Sequence, residues 1–249
     1  MGICFILCYT YFGDSMITSL TNEKVKEYQK LNQSKYRMEK GLFIVEGPHL
    51  ITEAKNLNLL VEVITTDPNV EGTLVSEAVM KKISNTVHPV KILGICKMIK
   101  KEEIKDKVLV LDTVGDPTNL GTLIRSAVAF GFDTIFLSNG CVDIYNDKVI
   151  RGSQGAIFKV NFLKGNLIEF LKKIKKTHQI LGTNVRVGQD VTTVKLNEKI
   201  ALILGNEARG MCDEANMYTD CNLFIKMHNT ESLNVSVAGS ILMYELSKK

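Results

Sequence analysis

Several constellations that would announce a chemistry are missing from this chain. It has no C-x-x-C pair, and none of its six cysteines (Cys4, Cys8, Cys96, Cys141, Cys212, Cys221) has a histidine at zinc spacing. A zinc site therefore has no ligand set to draw on, and cysteines this scattered in a chain this long read as reduced thiols, not as a disulfide framework. The four histidines, His49, His88, His178 and His228, are isolated, and no G-x-S-x-G elbow is present. A metal centre or a hydrolytic triad would rest on nothing. G-x-G-x-x-G and G-x-x-x-x-G-K-[ST] are also absent, which disfavours a dinucleotide site and a phosphate-binding P-loop. No apolar run reaches the length needed to span a bilayer, and the chain shows neither internal repeats nor low-complexity tracts.

What is present describes an ordinary globular protein. The chain has 249 residues, 45% hydrophobic and 23% charged, enough for one large domain or two modest ones. A net charge of +4 and a pI near 8.6 are mildly basic, compatible with an RNA partner without requiring one. Residues 1–15, MGICFILCYTYFGDS, are apolar but carry no basic n-region or small-residue cleavage site. They are expected to be an extension outside the folded body, with Met16 as the natural start and the cytoplasm as the compartment.

Along the chain, residues 22–40 are polar and helix-compatible, with Lys24, Lys26, Lys30, Lys35, Arg37 and Lys40. That stretch is either a solvated helix face or an RNA-facing one. Strands are expected at Leu42–Val45, Leu60–Thr65 and within 87–96, with a turn at Gly47-Pro48 and helices from Leu50 and over Ser76–Ile83. Residues 16–97 thus form a small α/β domain. The charged run KMIKKEEIKDK reads as a linker, covering 98–107. From 108 to 249 the rhythm is βα: strands at Val108–Leu111, Thr134–Leu137, Ile180–Thr183, Ala201–Leu204 and Asn222–Ile225, helices at Leu120–Phe130, Leu167–Lys176 and Leu233–Ser247. Strands separated by helices imply a parallel sheet covered on both faces.

Three segments at the C-terminal ends of expected strands could carry chemistry, because open α/β sheets bind ligands at that edge. In DTVGDPTNLGTLIRSAVAFGF (112–132) Asp116-Pro117 suggests a turn and Asn119 a helix cap. Gly121 permits a close backbone approach. Arg125, read as lying near a helix start where the macrodipole disfavours positive charge, suggests a phosphate to bind. LILGNEARGM (202–211) is a buried strand running into a tight polar loop. IKMHNTESLNVSV (225–237) crowds Ser232, Asn234 and Ser236 at the start of an apolar helix, more polar groups than capping requires.

Together, N-x-G-x-x-x-R, G-N-E-x-x-G and S-L-N-V-S-V-A resemble, in order and spacing, the three motifs of the SpoU (TrmH-type) family of the SPOUT superfamily. The likeness covers about 108–249, and 16–97 look like the small substrate-binding domain that precedes the catalytic domain in many members. It implies an α/β fold with a deep trefoil knot, a homodimer, and methyl transfer from S-adenosylmethionine to a ribose 2′-hydroxyl of RNA, with 23S ribosomal RNA expected over transfer RNA. Carried over by motif, the cofactor contacts are Thr183, Leu204, Gly205, Asn206, Gly210, Ile225, Met227 and Leu233. The catalytic group is Asn119, Arg125, Glu207, Ser232 and Asn234, in which Arg125 binds the phosphate beside the target while Asn119 and Glu207 fix Arg125 and the loops. RNA contacts are expected at Arg125, Arg151, Ser153, Lys35 and Arg37, and no metal is implied. Two positions depart from the family pattern: Lys226, where Ile-Pro-Met is usual, and Pro89-Val90-Lys91, where Pro-Gln-Gly is common. The competing readings are a non-catalytic RNA-binding protein with the same fold and a base-modifying member of the superfamily.

Overall fold

The computed structural model describes residues 16–86, 90–99, 103–185 and 187–249. The expected extension (1–15), the start of the strand expected within 87–96 and the middle of the linker lie outside the described residues.

The polar stretch 22–40 is two helices, α1 (Glu23–Lys30) and α2 (Ser34–Lys40). Asn22 caps the first by accepting the Lys24 N–H at 2.9 Å, and Gly41, at φ +66°, ends the second in a left-handed turn. There follow β1 (Leu42–Glu46), α3 (Pro48–Asn56), β2 (Leu60–Thr65), β3 (Thr73–Leu74), α4 (Glu77–Ile83) and β4 (Ile92–Lys97). Pro48 opens α3, where its missing N–H is not needed, so the expected Gly47-Pro48 turn is the helix entry itself. The strands form a sheet ordered β1-β4-β2-β3, with β4 antiparallel to both neighbours.

The rest of the chain runs β5 (Lys107–Leu111), α5 (Pro117–Ala129), β6 (Thr134–Ser138), α6 (Asp147–Ser153), a short 3-10 turn (Ala156–Phe158), β7 (Asn161–Gly165), α7 (Leu167–Ile174), β8 (Gln179–Thr183), β9 (Gln189–Asp190), β10 (Ile200–Leu204), α8 (Asp213–Asn216), β11 (Cys221–Phe224) and α9 (Val235–Ser247). The sheet order is β7-β6-β5-β10-β8-β11-β9 and every pairing is parallel. Because strand side chains alternate, Leu109, Leu111, Leu202 and Leu204 pack on the face covered by α5, α6 and α9. Val108, Val110, Ala201 and Ile203 pack on the other, under α7 and α8. Each of these larger side chains contributes roughly 1.5–3 kcal/mol on burial, which explains why the central strands read as unbroken apolar runs. No helix among the described residues is long and apolar enough to cross a membrane.

The two sheets share a core. Phe43, Val45, Leu50, Ile51, Ala54 and Cys96 belong to the same buried cluster as Tyr145, Phe158 and the α5 side chains, and the Phe43 and Tyr145 rings lie 4.6 Å apart. Arg37 seals the joint. Its guanidinium donates to the Asp143 carboxylate at 2.6 Å and to the Leu31 carbonyl at 3.0 Å, and Ser34 Oγ donates to the same carboxylate oxygen at 2.9 Å. With 6% of its surface exposed, Arg37 is withdrawn from solvent, so the expectation that it contacts RNA is corrected: it ties α2 to the large domain. Of the neighbouring cations, Lys24 and Lys26 are paired with Glu62 and Glu23, while Lys35 stays exposed beside the Tyr36 ring.

Burial pushes the Asp143 carboxyl up, but the Arg37 guanidinium, the Tyr145 N–H and the Ser34 hydroxyl outweigh it and hold the group below the ordinary carboxylate range. A carboxyl lowered in the folded state contributes stability that is complete above the unfolded value of about 3.9 and is lost as pH falls through the folded value. Arg37→Ala should lower the stability measured by urea denaturation by about 1–3 kcal/mol, less than for a fully buried pair because Asp143 keeps some access to water. Asp143→Asn should flatten the acid limb of the stability–pH curve. An Arg37→Ala protein as stable as wild type would show that the pair does not hold the joint.

Candidate active site

A cavity of about 520 Å³ opens at the C-terminal ends of β8, β10 and β11, roofed by the loop after β10 and by the segment leading into α9. This is the edge at which parallel sheets expose backbone groups to ligands. Thr183, Leu204, Gly205 and Asn206 line it from the ends of β8 and β10, joined by Gly210. Ile225, Met227 and Leu233 close it from the segment after β11. All the residues expected at a cofactor site therefore border one space. Asn184, Val185, Asp213 and Asn216 border it too. The sequence did not point to them, since they belong to a loop and to the four-residue α8, both too short for a periodic signal.

The loop after β10 folds back on itself. Asn206 and Gly210 exchange two backbone hydrogen bonds of 2.9 Å, and the Asn206 side-chain oxygen accepts the N–H groups of Ala208 and Arg209. A Cβ on Gly205 would collide with the backbone of Gly210 and Met211, so only glycine permits the return. The Asn206 amide also donates to the Thr113 carbonyl at 2.8 Å, fastening the loop to the segment after β5.

That segment carries the polar centre. Asp116 is the cap of α5, its carboxylate accepting the N–H groups of Thr118 and Asn119 at 2.8 and 2.9 Å. Asn119 is therefore not the cap; it lies inside the first turn, where its side chain is free to bridge. The Asn234 side-chain amide donates to the Asn119 side-chain Oδ1 at 2.9 Å, and the Asn119 Nδ2 donates to the Glu207 carboxylate at 3.0 Å. Asn234 in turn caps α9 through the N–H groups of Ser236 and Val237. Glu207 also receives the Asp116 and Gly115 N–H groups, at 3.3 and 3.5 Å. Partial burial works to raise the Glu207 carboxyl, but Asn119 and the backbone donors outweigh it and hold it below the usual range, so it is a carboxylate near neutrality.

Ser232 lines the cavity and is exposed. Arg125 does not line it. It is exposed on α5, in the third turn, too far along for the helix dipole to oppose it, which corrects the sequence argument from helix position. Asn119 and Glu207 bond each other and the loops, and no hydrogen bond or ion pair joins either to Arg125. Ser153 is buried, its hydroxyl donating to the Ile150 carbonyl at 2.8 Å, and Arg151 pairs with Asp147 at 2.9 Å. The structure thus corrects Ser153 as an RNA contact. Its stretch has a packing role: Gly152 of α6 meets Gly121 of α5, where a Cβ on Gly121 would lie 3.0 Å from the Gly152 Cα. Lys226, between the two cavity residues Ile225 and Met227, does not line the cavity, and its charge acts on Asp190 of β9. Among the described residues no three His, Cys, Asp or Glu side chains are grouped as metal ligands.

The sequence model of the SpoU rRNA Methylase family matches residues 106–244, and that of the MRM3-like substrate binding domain matches residues 22–94. The chain is 34% identical over 243 residues to the 23S rRNA (guanosine(2553)-2′-O)-methyltransferase RlmP of Bacillus subtilis, covering 92% of this chain and 98% of that protein. Its fold superimposes on an AdoMet-bound rRNA methyltransferase from Sinorhizobium meliloti with a TM-score of 0.83 at 26% identity, over 94% and 97% of the two chains. It also matches an RNA 2′-O ribose methyltransferase structure with a TM-score of 0.80 at 29% identity, over 92% and 97%. The polar centre at the strand ends, the parallel sheet that holds it and these likenesses agree, and the chain belongs to the SpoU rRNA methylase family.

Proposed function

We propose that the protein transfers a methyl group from S-adenosylmethionine to a ribose 2′-hydroxyl of RNA, with 23S ribosomal RNA in the cytoplasm as its substrate. The observation that carries this is that the second and third motif segments line one cavity while Asn119 of the first bonds to both. Family membership and the relative acting on 23S rRNA support the reaction and the substrate.

The cavity fits the cofactor. About 520 Å³ is in the range that holds a ligand of this size. Leu204, Leu223, Ile225 and Leu242 offer an apolar wall, and the carboxylates Glu207, Asp213 and Glu231 suit a cationic ligand. Thr183, Gly205, Asn206, Gly210, Met227 and Leu233 would complete the contacts, largely through backbone groups. S-adenosylmethionine supplies a methyl group already activated by its sulfonium, so the protein's task is to place the hydroxyl and to favour loss of its proton. Arg125, always charged in water, is assigned to the phosphate beside the target ribose, orienting the 2′-hydroxyl. Asn119, Glu207 and Asn234 hold the two loops at the reacting edge, Ser232 offers a hydroxyl at the cavity wall, and positioning supplies most of the rate.

A homodimer completes this reading. Val237, Ile241 and Tyr244 are exposed at helical spacing on α9, an apolar stripe that suits a second copy. Arg125 outside its own chain's cavity supports a site finished across that interface. The knot implied by the family is supported by the strand order, in which β10 lies between β5 and β8 although it follows both in sequence.

Purified protein with ribosomal RNA and labelled cofactor should yield ribose-methylated nucleosides. Methylated bases, or no product, would overturn the reading. Gly205→Arg should abolish cofactor binding in calorimetry while the rest of the sheet keeps its melting transition. Arg125→Ala should lower kcat by about a hundredfold or more with cofactor affinity unchanged; near-normal turnover would remove Arg125 from the mechanism. Ile241→Glu should give a folded monomer by light scattering, and a monomeric wild type would refute the dimer.

A further inference from the structure

Asp112 is the only buried carboxylate among the described residues, with 4% of its surface exposed, and nothing in the mechanism above uses it. A buried charge is costly unless its hydrogen bonds are made, so its partners indicate what it is for. Asp112 follows the last residue of β5, and its own N–H donates to the Leu204 carbonyl at 2.9 Å, extending the β5–β10 ladder by one step. Its carboxylate then reaches across to accept the Cys212 N–H at 2.9 Å. Cys212 caps α8, at the point where the folded-back loop rejoins the body of the protein.

The next residue holds the other limb of the same loop. Thr113 sits at φ +58°, in the left-handed region, with its N–H donating to Ser138 Oγ at 2.9 Å. That conformation turns its carbonyl to the Asn206 amide. Two consecutive residues after β5 therefore clamp the cavity loop at both ends, Thr113 at Asn206 and Asp112 at Cys212. The inner closure, the Asn206–Gly210 pair, lies between the two clamps. Asp112 does not itself line the cavity.

We infer that Asp112 is a positioning residue for the cofactor, setting its affinity by fixing the return limb of the 205–211 loop through the Cys212 N–H. The inference rests on the reading that this cavity holds S-adenosylmethionine. A buried acceptor oxygen suits the role because a hydrogen bond to a backbone N–H, shielded from water, resists the opening of a loop that has no regular secondary structure. The loop's correct shape is then present before the ligand arrives, so less of the binding free energy is lost to ordering it.

The test is calorimetric titration of the full-length protein with S-adenosylmethionine, with thermal melting recorded alongside. Asp112→Ala should weaken binding by about tenfold or more, the range expected when a buried N–H loses its acceptor. The KM for the cofactor should rise in step, while kcat at saturating cofactor changes little. Asp112→Asn, which keeps an acceptor oxygen of the same shape, should restore most of the affinity. Cys212→Pro removes the donor instead, at a φ of −68° that already suits proline, and Cys212→Ala, which removes only the thiol beside the same carboxylate, isolates the backbone bond if Asp112→Ala fails to fold. Unchanged affinity in a folded Asp112→Ala or Cys212→Pro protein would overturn the inference, as would an Asp112→Asn protein as weak as Asp112→Ala. A wild type that binds no S-adenosylmethionine would instead overturn the functional reading on which the inference stands.

Discussion

The side-chain amide of Asn119 has one acceptor and one principal donor in use, and each is committed to a residue far away in the chain. Asn234, 115 positions on, donates to it, and Glu207, 88 positions on, accepts from it. Three loops that share no local structure are thereby held at one sheet edge. The arrangement tolerates little slack, since a carboxylate, two amides and the starts of two helices all depend on the same few ångströms. Asp116 makes it available by capping α5 itself, which frees Asn119 from that duty. The network also favours the ionised Glu207, because the Asn119 amide and the backbone N–H groups of Gly115 and Asp116 outweigh the desolvation that burial imposes.

The same economy governs how the small domain is attached. Its sheet does not hang from a linker; Phe43 and Tyr145 meet inside one core, and Arg37 and Asp143 close the rim. An arginine in a basic segment of an RNA-modifying protein invites an electrostatic reading, yet here the charge is used internally. The cations left exposed, Lys35 among them, lie on a surface whose orientation toward the cavity is fixed by that joint. For an enzyme acting on a large folded RNA, a rigid spacing between the two surfaces serves the same end as the clamped loops: distance is set by packing before the substrate binds.

Much of the large domain was legible because its strands are buried on both faces. Such strands must be almost wholly apolar, so the runs 108–111, 180–183 and 201–204 coincide with β5, β8 and β10 to within one residue. The motif-bearing loops were legible for a related reason, being polar and glycine-rich directly after those runs. β7 and α6 leave no clear pattern in the sequence: Asn161–Gly165 is an edge strand with only one buried residue, and Asp147–Ser153 is short and mixed in polarity. α5 starts about one turn before the position that the sequence suggests, because Asp116 and Asn119 are both good caps and only the observed hydrogen bonds choose between them.

What the sequence by itself determined was therefore local and compositional: a parallel α/β core and the polar loops at its strand ends. The tertiary structure decided which polar side chains face one another. It put Arg37 and Ser153 inside, left Arg125 and Lys226 outside the cavity lining and gave Asp112 a backbone partner 100 residues away. The physical reason is that periodicity reports which face of an element is apolar, whereas a hydrogen bond between distant loops depends on strand order. Here β10 runs between β5 and β8, an adjacency that no local pattern encodes.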